Sequence, residues 1–145
     1  MTADPLAAAN DAMHPTDAVF DSPAATTILI CHSCRLPGEP DASPRSGSVL
    51  LGEVQAAVQG TDLTVKGVGC LGNCKRGISA AMLRDGGWSY VFGDLTPDSA
   101  ADIIAGAKLF STSSDPFMPF RARPEPLKRG LIARLPTFET LKDLP

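Results

Sequence analysis

Leu63-Thr64-Val65-Lys66-Gly67-Val68-Gly69-Cys70-Leu71-Gly72-Asn73-Cys74 is the stretch that decides the fold. Its first half alternates apolar and polar side chains, the pattern of a strand with one covered face. The strand then runs straight into two cysteines, Cys70-x-x-x-Cys74. Upstream, Val49, Leu50, Val54, Ala57 and Val58 recur at helical spacing, which predicts a helix over 48–59 closed by Gly60. Before it, Arg35–Ser48 carries Pro37, Gly38, Pro40, Pro44 and Gly47 and reads as a loop. Thr26-Thr27-Ile28-Leu29-Ile30 is a short β-branched run, a buried strand that delivers Cys31.

Downstream the elements are shorter. Ile78–Arg84 is a strand, Asp85-Gly86-Gly87 a tight turn and Trp88–Phe92 the returning strand of a hairpin. Thr96 is an N-cap, Pro97 sits at the first helical position, and a helix runs to about Phe110. That helix buries Ala100, Ile103, Ile104, Ala107 and Leu109 or their neighbours. A β–α–β unit followed by a hairpin and a helix is an α/β layer fold of the thioredoxin-like type. Beyond Ser111, Pro116, Pro119, Pro124 and Pro126 oppose regular structure, and Leu127–Leu135 reads as one short basic helix. The expected division is a disordered arm over 1–24, one domain over 25–112 and a C-terminal extension over 113–145.

A chain of 145 residues, 43% hydrophobic and 20% charged, is enough for one globular domain with a small core. A net charge of -3 gives no reason to expect nucleic acid or an anionic membrane as partner. The charge is uneven: residues 1–120 hold 7 basic against 13 acidic side chains, and 121–145 hold 6 against 3. A basic, Pro-rich tail on an acidic body is either a solvated extension or a clamp for a partner. No run approaches the roughly 18 apolar residues of a membrane span. Met1–Asp21 lacks the basic start and apolar centre of a secretory signal, so a reducing cytoplasm is the expected location.

All four cysteines fall in two close pairs, Cys31-His32-Ser33-Cys34 and Cys70–Cys74, each at the end of an expected strand. Close spacing lets two sulfurs reach one metal atom, and strand ends of one sheet bring the pairs together. The expected ligands are therefore Cys31, Cys34, Cys70 and Cys74. Gly67, Gly69, Gly72 and Gly77 crowd the second pair, where glycine permits unusual turns and close N–H approach to sulfur. Lys75 and Arg76 follow the last cysteine and either offset site charge or lie in solvent. Spacing alone also fits tetrahedral zinc. A dithiol catalyst on Cys31 and Cys34 would leave the second pair unexplained. His32 is expected in solvent, and His14 has no assigned role. No acid, base or nucleophile constellation appears, so the chain does not read as an enzyme.

Val68-Gly69-Cys70-Leu71-Gly72-Asn73-Cys74, a hairpin ending Tyr90-Val91-Phe92 and then Asp94-Leu95-Thr96-Pro97 resemble the thioredoxin-like [2Fe-2S] ferredoxins. They are also similar to the small subunit of respiratory NADH dehydrogenase. The resemblance spans roughly Thr27–Phe110. The family's first two cysteines are usually further apart than Cys31 and Cys34. With its tail Met118-Pro119-Phe120-Arg121-Ala122-Arg123-Pro124, the whole chain resembles a bacterial family of predicted metal-binding proteins (DUF1636-like). The resemblance implies a [2Fe-2S] cluster on the four cysteines and single-electron transfer to a redox partner protein, in cobalamin or cobalt metabolism. The alternative is a zinc or cobalt binding or transfer protein without redox role. Related ferredoxins are often dimers, and Phe117, Met118 and Phe120 either serve a homodimer contact or cover this chain's own core.

Overall fold

The structure, a computed structural model, describes residues 25–41 and 43–145. The arm expected over 1–24, His14 included, lies outside the described residues. Strand β1 (Thr26–Cys31) is an interior strand whose inward positions are all apolar or satisfied: Ile28 and Ile30 are fully buried. The buried Thr26 hydroxyl accepts a 2.6 Å hydrogen bond from Ser111. Helix α1 (Ser46–Ala57) leads to β2 (Thr64–Val68), which pairs parallel to β1. Strands β3 (Ala80–Arg84) and β4 (Ser89–Phe92) form the expected hairpin, turning through Gly86 at φ +74°. Helix α2 (Ala100–Ser111) follows a 3-10 turn at Pro97–Ser99.

Register explains the core. Ile28 lies opposite Met82, and Met82 opposite Tyr90; Ile30 lies opposite Ala80, and Ala80 opposite Phe92. Directly opposed residues share a face, so these two rows form one apolar surface, and all six residues are buried. Helices α1 and α2 touch each other and both lie on β1, covering that surface. From α2, Phe110 meets the Tyr90 ring edge-on at 5.2 Å. The α/β class and the β–α–β, hairpin and helix order thus agree with the sequence reading.

Two readings need correction. Helix α1 begins at Ser46, two residues before the expected Ser48, and leaves Val49 exposed. Leu127–Leu135 is not one helix: α3 (Glu125–Arg129) ends at Gly130, and β5 (Leu131–Leu135) pairs antiparallel to β4 as a fifth strand. The sheet order is β2-β1-β3-β4-β5. A last turn, α4 (Phe138–Leu141), closes the chain. Met118 and Leu127 are core residues, whereas Phe120 is exposed. No helix among the described residues is long and apolar enough to cross a membrane.

Thr96 is a cap as expected, but of the 3-10 turn Pro97–Ser99, and α2 proper begins at Ala100. The Thr96 hydroxyl accepts from the Asp98 N–H at 3.2 Å, and the Thr96 N–H donates to the Ser99 hydroxyl at 3.0 Å. Thr96→Ala removes the first bond and should cost about 1 kcal/mol, read as a fall of about 3 °C in Tm for a chain of this size.

Candidate metal centre

Parallel pairing places the C-terminal ends of β1 and β2 side by side, with Cys31 in register with Val68. Cys31 thus ends one strand while Gly69-Cys70 leaves its neighbour, and the Cys31 sulfur lies 3.8 Å from the Gly69 carbonyl. The Ser33 hydroxyl donates to that same carbonyl. The Cys31 N–H donates to Ser79 O and the His32 N–H to Val68 O, each at 3.0 Å, fixing the loop to both neighbouring segments.

Two pairs of unlike exposure result. Cys31 and Cys34 are buried; Cys70 and Cys74 are exposed. The Cys70 and Cys74 sulfurs stand 3.9 Å apart. Two thiolates about 2.3 Å from one tetrahedral metal atom are separated by about 3.8 Å, so this spacing fits one metal atom. Among the described residues no group of three or more His, Cys, Asp or Glu side chains is disposed around a single ion. The thiols come two by two. A cleft of about 390 Å³ is lined by Cys34 from the first pair and Cys74 from the second, with Arg35, Arg45 and Lys75 around it.

Glycine makes the close approaches possible. A Cβ on Gly47 would lie 2.1 Å from Cys31 O and 3.2 Å from Cys34 Cβ; one on Gly77 would lie 2.9 Å from Arg35 O and 3.3 Å from the Cys34 sulfur. Gly72 adopts φ +76°, and its N–H donates to the Cys70 sulfur at 3.2 Å. Of the glycines expected around the second pair, Gly77 serves the first. His32 is exposed, and Arg76 is tied to Asp94 at 2.6 Å.

Sequence reading took Gly47 only as a loop former and assigned no role to Ser46, Glu39, Arg45 or Ser79. Ser46 donates to the Glu39 carboxylate at 2.6 Å, and Arg45 spans from Ser33 O at 2.9 Å to Asp41 at 2.7 Å. These bonds stitch the proline-rich loop over the first pair. Ser79 is fully buried and accepts from the Asn73 side chain at 3.0 Å, joining the second loop to β3. Residues that bond only across the loop leave no periodic signal; the polar residues flanking Pro37–Pro44 were the available hint.

Protons are held unevenly in the thiols. Burial pushes Cys34 up to about 11, helped by its hydrogen bond and like charge with Cys31. Burial acts the same way on Cys31, but hydrogen bonds from Cys34, Ser33 and backbone groups outweigh it and hold this thiol below its ordinary value. Cys31 therefore ionises first and Cys34 keeps the shared proton. The hydrogen bond with Cys70 and its charge raise Cys74. Metal binding would displace such protons.

Fold and site together define a mixed five-stranded α/β domain with paired thiols at one sheet end. The chain belongs to the family described as "Protein of unknown function (DUF1636)", whose profile matches residues 28–137. Comparison with curated proteins gives no match. Among solved structures the chain is similar to the wild-type thioredoxin-like [2Fe-2S] ferredoxin from Aquifex aeolicus, at 16% identity and a TM-score of 0.49, covering 74% of this chain and 96% of that one. A second structure of a thioredoxin-like [2Fe-2S] ferredoxin from Aquifex aeolicus gives 17% identity and a TM-score of 0.49, with 75% and 91% covered. A cysteine-to-serine variant gives 16% and 0.49, with 74% and 98% covered.

Proposed function

We propose that this protein carries single electrons on a [2Fe-2S] cluster held by Cys31, Cys34, Cys70 and Cys74, and delivers them to a partner enzyme. The observation that carries this reading is the two-by-two thiol arrangement at adjacent strand ends, with the outer sulfurs 3.9 Å apart. Paired thiolates suit a group with two metal atoms better than a lone ion, which would draw on three or four ligands at once. The cluster supplies a one-electron couple when bound. The chain does the rest. Its buried pair keeps water from one side, and the Gly72 N–H stabilises charge on the Cys70 sulfur. The exposed pair, beside Lys75, gives a partner its route of approach. Resemblance alone supplies the setting, an enzyme of cobalamin synthesis or cobalt handling.

Protein purified without oxygen should be brown, contain about two irons with acid-labile sulfide per chain, and give an electron paramagnetic resonance signal on reduction. Cys70→Ser and Cys34→Ser should each abolish that signal. Colourless protein with one zinc per chain, bound through the same cysteines, would overturn the reading in favour of a redox-silent metal protein.

A further inference from the structure

The segment Met118–Pro124 takes no part in the thiol site, yet it helps to build a second hollow that carries two arginines on its wall. Arg123 is only 8% exposed. One of its terminal nitrogens donates to Met118 O, while its buried Nε has no hydrogen-bond partner. Its guanidinium lies 5.5 Å from the Tyr90 ring centre and 5.3 Å from that of Phe120. Strand β5 sets Arg134 opposite Tyr90, with its guanidinium 4.7 Å from the Phe117 ring and 5.1 Å from Trp88. All of these except Trp88 line one cavity of about 430 Å³.

Two like charges gathered here need an explanation. Among the described residues neither arginine forms a salt bridge; the three that exist use Arg45, Arg76 and Arg129. A desolvated guanidinium without a counter-charge is costly, and a second cation beside it adds to that cost. Burial, with the like charge of Arg134, accordingly lowers the Arg123 pKa, although the group stays charged at neutral pH. The one carboxylate on the cavity wall, Asp115, accepts from the Phe117 N–H and the Ser113 hydroxyl through Oδ1, at 3.0 Å each, and forms no salt bridge with either arginine. Rings stacked on the guanidiniums orient them but leave their charge unneutralised.

We propose that this cavity binds a small organic carboxylate with a flat apolar body, its carboxylate between Arg123 and Arg134 and its body against Phe117 and Phe120. The guanidinium fork matches a planar carboxylate better than a tetrahedral anion, and the volume is that of an ordinary small-molecule site. The site stands apart from the thiols and does not depend on a cluster being bound.

Trp88, the only tryptophan in the chain, reports on Arg134 directly. Full-length protein is titrated with benzoate, benzamide and inorganic phosphate while Trp88 emission is followed, and calorimetry gives the affinity independently. Benzoate should bind saturably with a dissociation constant of about 1 mM or tighter, and benzamide should not bind. Exposed Arg134→Gln should weaken benzoate at least tenfold, with Arg134→Lys falling between. Equal binding of benzamide, phosphate binding as tightly as benzoate, undiminished affinity in Arg134→Gln, or no saturable response would each overturn the proposal.

Discussion

Gly47→Ala should destabilise the protein by about 3 kcal/mol or more and lower the occupancy of the proposed metal centre. Helical propensity predicts the opposite sign, since alanine in a helix is favoured over glycine by about 1 kcal/mol. The surroundings reverse it. The new Cβ would fall 2.1 Å from Cys31 O and 3.1 Å from Cys34 N, both backbone atoms that cannot rotate away. Gly47 also donates its N–H to Cys34 O at 2.9 Å, so the first turn of α1 is locked to the cysteine loop. Relief requires α1 to back off or the loop to open; overpacking of this kind costs about 1–3 kcal/mol and occasionally more. Either movement spreads Cys31 from Cys34. Gly52 in the same helix is the control: nothing lies within 4 Å of its missing Cβ, so Gly52→Ala should stabilise by about 0.8 kcal/mol. Denaturant unfolding and metal content of both variants check this. A Gly47→Ala variant at least as stable as the unaltered protein would show that the loop does not lean on Gly47.

That glycine also marks what could be read from the chain and what could not. Both cysteine-bearing strands, the hairpin and the Thr96-Pro97 start were legible, because each rests on local pattern or cap chemistry. The start of α1 was misplaced because Pro44 and Gly47 were taken together as loop formers. Gly47 is glycine for a tertiary reason, the Cys31–Cys34 loop pressed against it, and no local rule records that. Strand β5 was misread for a different cause. Leu127, Leu131 and Leu135 recur every four residues, which mimics a helical stripe. Gly130 breaks it: a Cβ there would sit 2.5 Å from both Gly93 O and Pro126 O, where the chain turns from α3 into β5. For the thiols, spacing indicated the pairs, while their unequal burial and proton sharing arise from Ser79, Gly77 and the loop over Cys34, all placed by tertiary contacts.

Deleting residues 121–145 should leave a chain that does not fold cooperatively, although the deleted piece is polar, proline-rich and lies outside the β–α–β, hairpin and helix framework. Leu127 is fully buried, and its Cδ1 occupies the place where a Cβ on Gly106 would be, so α2 is built to receive it. Losing a buried leucine alone costs about 2–5 kcal/mol. Strand β5 pairs with β4 from Ser89 to Phe92, and its removal turns β4 into an unpaired edge beside the buried Tyr90 and Phe92. Arg123 goes as well, leaving the Met118 carbonyl without its side-chain donor. Together these losses approach the whole stability of an ordinary domain, about 5–15 kcal/mol. A detachable partner clamp predicts instead that the shortened chain keeps its unfolding transition and loses only an interaction. Circular dichroism melting separates the two: a sharp transition within about 5 °C of the full chain's would show that 121–145 is an appendage, whereas a broad, non-cooperative melt is the result expected of a fifth strand on which the core depends.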